Sequence, residues 1–103
     1  MAHSIKSGGY YSFEAGSMKI KEFQQIINEK YGHRDRQRGT PATFLWFIEE
    51  VGELATALAG DDRANQQEEF GDVFAWLCTL ANINDIDLEQ AVQKYLNGHL
   101  GYK

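Results

Sequence analysis

The chain has 103 residues, 43% of them apolar, one cysteine and a net charge of −5, which suits a single domain with a modest core. It excludes an intrachain disulfide and argues against a thiolate zinc site. Residues 1–38 carry seven Lys/Arg against four acids, whereas residues 39–93 carry eleven acids and Arg63 alone. That acidic centre would repel a polymeric nucleic acid and suits a phosphate ligand only with cations in between. The longest apolar run, VFAWLCTLA at 73–81, is too short to cross a bilayer, and the N-terminus lacks the apolar stretch of a signal peptide. With a lone thiol, the expected location is cytoplasmic, with no membrane partner.

Residues 1–17, MAHSIKSGGYYSFEAGS, are rich in Gly and Ser without a clear period. They read as a flexible leader or an expression remnant, with the domain occupying 18–103. From Lys19 to Tyr31 the residues Ile20, Phe23, Ile26, Ile27 and Tyr31 recur at three and four, predicting an amphipathic first helix. GHRDRQRG at 32–39 reads as a basic loop. Thr40 and Pro41 then predict an N-cap and first turn. The second helix is expected to run to Ala59, with Gly60 as its stop and Phe44, Phe47, Ile48, Val51, Leu54, Ala55 and Leu58 as its apolar positions. Asp61 or Asp62 can cap a third helix reaching about Asn82, followed by a turn at NIND. Asp87, with Gln90 in capping-box spacing, starts a fourth helix ending near Leu96. With no strand pattern, the fold class is all-α: four helices with short connections.

Two phrases in this frame nearly repeat, EEVGEL at 49–54 and EEFGDV at 68–73. Glu50 and Glu53 sit three apart, so they share one helix face with Cβ atoms about 5–6 Å apart; Glu69 and Asp72 repeat the spacing. If the short linker makes the two helices antiparallel neighbours, the four carboxylates can converge. The alternative is a solvated acidic face. Against it, no Lys or Arg lies three or four residues from any of the four, and apolar Val51, Leu54, Phe70 and Val73 flank them. Gly52 and Gly71 each cost a helix about 0.5–1 kcal/mol relative to Ala, which suggests close helix approach there. Two carboxylates at that separation repel by about 3 kcal/mol at an effective dielectric near 20. A convergent cluster therefore either holds protons or takes cations, and all-carboxylate donors suit Mg²⁺, Mn²⁺ or Ca²⁺.

The pattern Glu49-Glu50-x-x-Glu53, fifteen intervening residues, then Glu69-x-x-Asp72 resembles the signature of MazG-like nucleotide pyrophosphohydrolases, an all-α family. The likeness extends over about Met18 to Asn97 through EFQQII, RDRQRG, TFLWFIEEVGELATAL, EEFGDVFAWLCTLAN and DLEQAVQKY. It implies Mg²⁺-dependent hydrolysis of an NTP or dNTP to the monophosphate and pyrophosphate, with Mn²⁺ as a substitute metal. It also implies a helical bundle completed by oligomerisation into a homodimer or tetramer. On this resemblance Glu50, Glu53, Glu69 and Asp72 are metal ligands, and the catalytic candidate Glu49 faces the reacting water or a second metal; which glutamate acts as the base does not follow from the sequence. Relatives place base-contacting groups on the first helix, where Gln24 and Gln25 lie, and continue the last helix with groups that reach the phosphates, for which Lys94 is the candidate here. Two other readings stand beside this one: a phosphoribosyl-ATP pyrophosphohydrolase-like enzyme, and a metal-binding helical oligomer without turnover.

Among the remaining residues, Arg34, Arg36 and Arg38 can meet a triphosphate or a partner subunit, or be solvated. Trp46 and Trp76 fall on apolar helix faces, where core packing competes with base stacking. The nucleotide-binding set is thus Gln24, Arg38, Trp46 and Lys94. Cys78 reads as a small buried hydrophobe, and His33 and His99 carry no site role.

Overall fold

The computed structural model describes residues 16–97. Most of the expected leader, and His99 near the other terminus, lie outside them. Among the described residues the chain is all-α: α1 Ile20–Arg38, α2 Thr40–Ala59, α3 Arg63–Ile83 and the short α4 Leu88–Ala91, which leads into a 3₁₀ turn, Gln93–Tyr95. The long α2 and α3 form a hairpin, and α1 packs mainly on α3.

The first helix is longer than its apolar period suggests. The expected basic loop at 32–39 is helical as far as Arg38, because polar bonds take over where apolar spacing ends. Asp35 is fully buried and accepts from Arg38 Nη2 at 2.6 Å. Arg36 reaches back along the helix, as helical side chains do, donating to Asn28 Oδ1 at 2.7 Å and to the Asn82 carbonyl at 3.1 Å. Gly32 lies beneath this bridge; a Cβ there would run into Asn28 Oδ1 and the Arg36 guanidinium. Extending α1 leaves a single residue to turn the chain into α2. Gly39 makes that turn at φ +83°, a left-handed value that glycine adopts without steric cost. Gly39, not Thr40, is therefore the N-cap of α2, with Pro41 in the first turn as expected. Thr40 Oγ1 instead accepts from Asn84 Nδ2 at 3.1 Å.

The other punctuation follows its chemistry. Asp62 caps α3, its carboxylate accepting from Asn65 N at 3.1 Å. At the far end Asp85 adopts φ +56°, and the bonds Ile86 N to Ala81 O (2.9 Å) and Asp85 N to Asn82 O (3.2 Å) close a Schellman turn. Asp87 caps α4 through Glu89 N and Gln90 N. That helix lasts four residues rather than reaching Leu96. Leu88 packs on the core, but Val92, Tyr95 and Leu96 are exposed, so little burial offsets the entropy of extending it.

The core lies between α1 and α3: Ile27, Tyr31, Ala75 and Cys78, flanked by Phe23 and Leu88. Phe23 stacks on Phe74 with ring centroids 5.6 Å apart. At the end of this interface the Gln24 amide donates to Asn82 Oδ1 (3.0 Å) and Ile86 O (2.7 Å) and accepts from Leu88 N (2.9 Å). Asn82 returns a bond to the Gln24 carbonyl at 3.2 Å. The apolar stripe read along α2 behaves differently. Phe47 and Leu54 are half-buried, while Phe44, Ile48, Val51 and Leu58 are exposed, as is Phe70 on α3.

Candidate metal centre

The α2–α3 hairpin sets the acids against one another. Glu50 on α2 and Glu69 and Asp72 on α3 are only 3%, 8% and 7% exposed, and each offers a carboxylate oxygen within 4.8 Å of the other two. Glu49, Glu50 and Glu53 form a second such trio along α2, in which Glu49 and Glu53 are exposed. Glu50 belongs to both groups. The arrangement has a buried floor of three acids and an open rim of two, hinged on one carboxylate.

Electrostatics marks the same residue. Burial pushes the Glu50 carboxyl up from 4.5 to about 7, and the neighbouring charges of Glu53, Asp72, Glu69 and Glu49 push in the same direction. Burial penalises the ionised form and like charges add to the penalty, so at neutral pH this group is poised between holding a proton and giving it up. The donor set fits a hard divalent cation: every ligand atom is a carboxylate oxygen, and the like-charge repulsion that adds to burial in raising the Glu50 carboxyl is what a cation would cancel.

Two cross-links bracket the acids along the hairpin. One turn back from Glu50 stands Trp46, and one turn on from Asp72 stands Trp76; their rings meet edge to face at 5.7 Å. The Arg38 guanidinium lies 5.0 Å from the Trp46 ring and 5.3 Å from that of Trp76, held by Asp35 and by Thr43 Oγ1, which accepts from Arg38 Nε at 2.9 Å. Toward the α2–α3 connection, the Gln66 amide donates to Ala57 O at 3.1 Å and to Gly60 O at 3.0 Å. Nothing in the sequence singles out Gln66, because one of two adjacent glutamines in a polar run carries no motif.

The other sequence candidates are spread out. Arg38 and Trp46 are brought together beside the acids. Gln24 is not: its partner Asn82 lies ten residues beyond Asp72, about 15 Å along α3, and its amide is spent on the fold. It lines a hollow of about 310 Å³ together with Lys21, Gln25, Asn28 and Arg36. Lys94 is exposed in the 3₁₀ turn, its ammonium 5.1 Å from the Tyr95 ring. The expected close approach at Gly52 and Gly71 is not found: among the described residues a Cβ on either would meet nothing within 4 Å, so neither glycine makes room for α2 against α3. Cys78 is fully buried, and burial pushes its thiol up to about 12, which makes it an inert core residue. No helix among the described residues is long and apolar enough to cross a membrane.

The α2–α3 hairpin thus gathers buried carboxylates from both of its helices into one acidic cluster. Residues 38–98 match the model of the MazG nucleotide pyrophosphohydrolase domain. The chain belongs to that family, which supports a nucleotide pyrophosphohydrolase activity in general terms. No curated protein matches the chain.

Proposed function

We propose that this chain hydrolyses nucleoside triphosphates, NTP or dNTP, to the monophosphate and pyrophosphate with Mg²⁺, as housekeeping of the cytoplasmic nucleotide pool. The observation that carries the reading is the buried Glu50–Glu69–Asp72 trio with Glu49 and Glu53 at its rim. Glu50, Glu53, Glu69 and Asp72 would hold the metal. When bound, a divalent ion neutralises phosphate charge and makes water a usable nucleophile near neutral pH.

The chain's own residues supply the rest. Glu49, exposed at the rim, is free to meet a water and take its proton. The water oxygen adds to the α-phosphorus, the bond from that phosphorus to the bridging oxygen breaks, and pyrophosphate leaves with that oxygen. The half-buried Trp46, one turn from Glu50, offers a ring beside the acids, and Arg38, whose charge is paired with Asp35, backs that ring. Gln24 is left out, since its amide is already committed.

The second part of the proposal is a second copy over the exposed stripe of Phe44, Ile48, Val51 and Phe70. Burying one such side chain contributes about 1.5–3 kcal/mol. The open space around Gly52 and Gly71 would then be room for a neighbour. Within one chain Lys94 is not beside the acids; in a dimer it can serve the partner's phosphates. Pyrophosphate release from a panel of NTPs, dNTPs and phosphoribosyl-ATP tests the reading. No turnover by folded, metal-loaded protein would leave a metal-binding oligomer instead.

A further inference from the structure

The cross-link at Gln66 has a bearing on the carboxylates beyond holding two helix ends. Gln66 is 7% exposed, and all of its side-chain polarity is directed. Arg63 Nη1 donates to Gln66 Oε1 at 3.1 Å, which fixes which side of the amide is oxygen. The amide nitrogen therefore faces two carbonyls of the α2 end, Ala57 O and Gly60 O. Ala57 O also accepts from Gly60 N at 3.1 Å, so the amide adds a second bond there, and it reaches Gly60 O from α3.

Position turns this staple into a register device. Ala57 lies four residues after Glu53 and seven after Glu50, on the same side of α2. Gln66 lies three residues before Glu69 and six before Asp72 on α3. The staple thus ties a point one to two turns from the α2 acids to a point one to two turns from the α3 acids. On the other side of the acids the helices meet through aromatic edges, Trp46 on Trp76, a contact that tolerates sliding more readily than two directed hydrogen bonds. A slip of α2 along α3 by one residue, about 1.5 Å, would carry Glu50 out of the trio.

We propose that Gln66 is a positioning residue for the metal centre: its amide, oriented by Arg63, sets the α2–α3 register that brings Glu50 to Glu69 and Asp72. This rests on the acids being a cation site, and the test separates the two claims. Binding of Mn²⁺ to the metal-free full chain is followed by loss of the free-ion paramagnetic resonance signal, so turnover is not needed. The wild type should bind, and Gln66→Met should bind about tenfold more weakly, the scale seen when groups that orient metal ligands are removed, while keeping its helical circular dichroism. Asn82→Ala, which breaks the α1–α3 amide pair away from the acids, should bind within twofold of wild type. If Gln66→Met loses its helical signal, Gln66→Asn replaces it, keeping an amide one methylene too short to span, with the same weakening expected. Wild-type affinity in the Gln66 variant, or equal weakening in Asn82→Ala, overturns the positioning role. Failure of the wild type to bind overturns the cation site itself.

Discussion

Glu50 and Asp72 face each other across the α2–α3 hairpin, both nearly excluded from solvent and each with a carboxylate oxygen within 4.8 Å of the other. Two buried acids held this close are unfavourable unless a proton or a cation lies between them. The choice between proton and cation gives the site a pH signature. With the Glu50 carboxyl raised to about 7, the folded, metal-free protein holds a proton that the unfolded chain gives up near 4.5. Stability from this group is fully present below about 4.5 and is lost as the pH rises through about 7. The shift corresponds to at most about 3 kcal/mol. Urea titrations of metal-free protein at pH 4.5 and 8 should show that loss, and Glu50→Gln should remove most of it. Equal pH dependence in wild type and variant would contradict the assignment.

Mg²⁺ should act in the opposite direction. A cation that binds only the folded chain stabilises it by mass action, and it competes with the Glu50 proton. The rise in melting temperature on adding Mg²⁺ should therefore be larger at pH 8 than at pH 5.5, and small in Asp72→Asn at both. A rise independent of pH would show that the ion binds away from Glu50.

Arg38 bears on stability through its buried partner. Arg38→Met removes the guanidinium that bonds the fully buried Asp35, at an expected cost of about 3 kcal/mol. Adding Asp35→Asn should recover part of it, because the buried charge that Arg38 balances is then gone. Chemical denaturation of the two variants measures both effects.

The exposed stripe predicts an assembly. Sedimentation should find the wild type larger than one chain, and Ile48→Glu, which places a charge in the middle of the exposed apolar positions, should shift it to monomer without loss of helix. A wild-type monomer at high micromolar concentration would remove the second copy from the account.

The sequence showed what local chemistry decides. An aspartate cap for α3 at Asp61 or Asp62, Asp87 as the cap of α4, Gly60 as a stop and the paired spacings Glu50/Glu53 and Glu69/Asp72 all depend on neighbours within one turn. What it hid depends on distance. The helix through GHRDRQRG is held by bonds such as Arg36 to Asn82, 46 residues apart, and no local period signals those. Gln24 looked available for a nucleotide because its partners lie 58 to 64 residues away. The glycines looked like contacts between α2 and α3 because their repeat is visible and the direction they face is not. Glu50 looked equal to the other three acids; only the packed hairpin shows that both trios share it.

The most direct test of the central claim compares products from wild type and Glu50→Gln, both checked for helical content, with a nucleoside triphosphate and Mg²⁺. The account predicts nucleoside monophosphate and pyrophosphate in equal amounts from the wild type and only background from the variant. Orthophosphate in place of pyrophosphate, or undiminished turnover by Glu50→Gln, would contradict it.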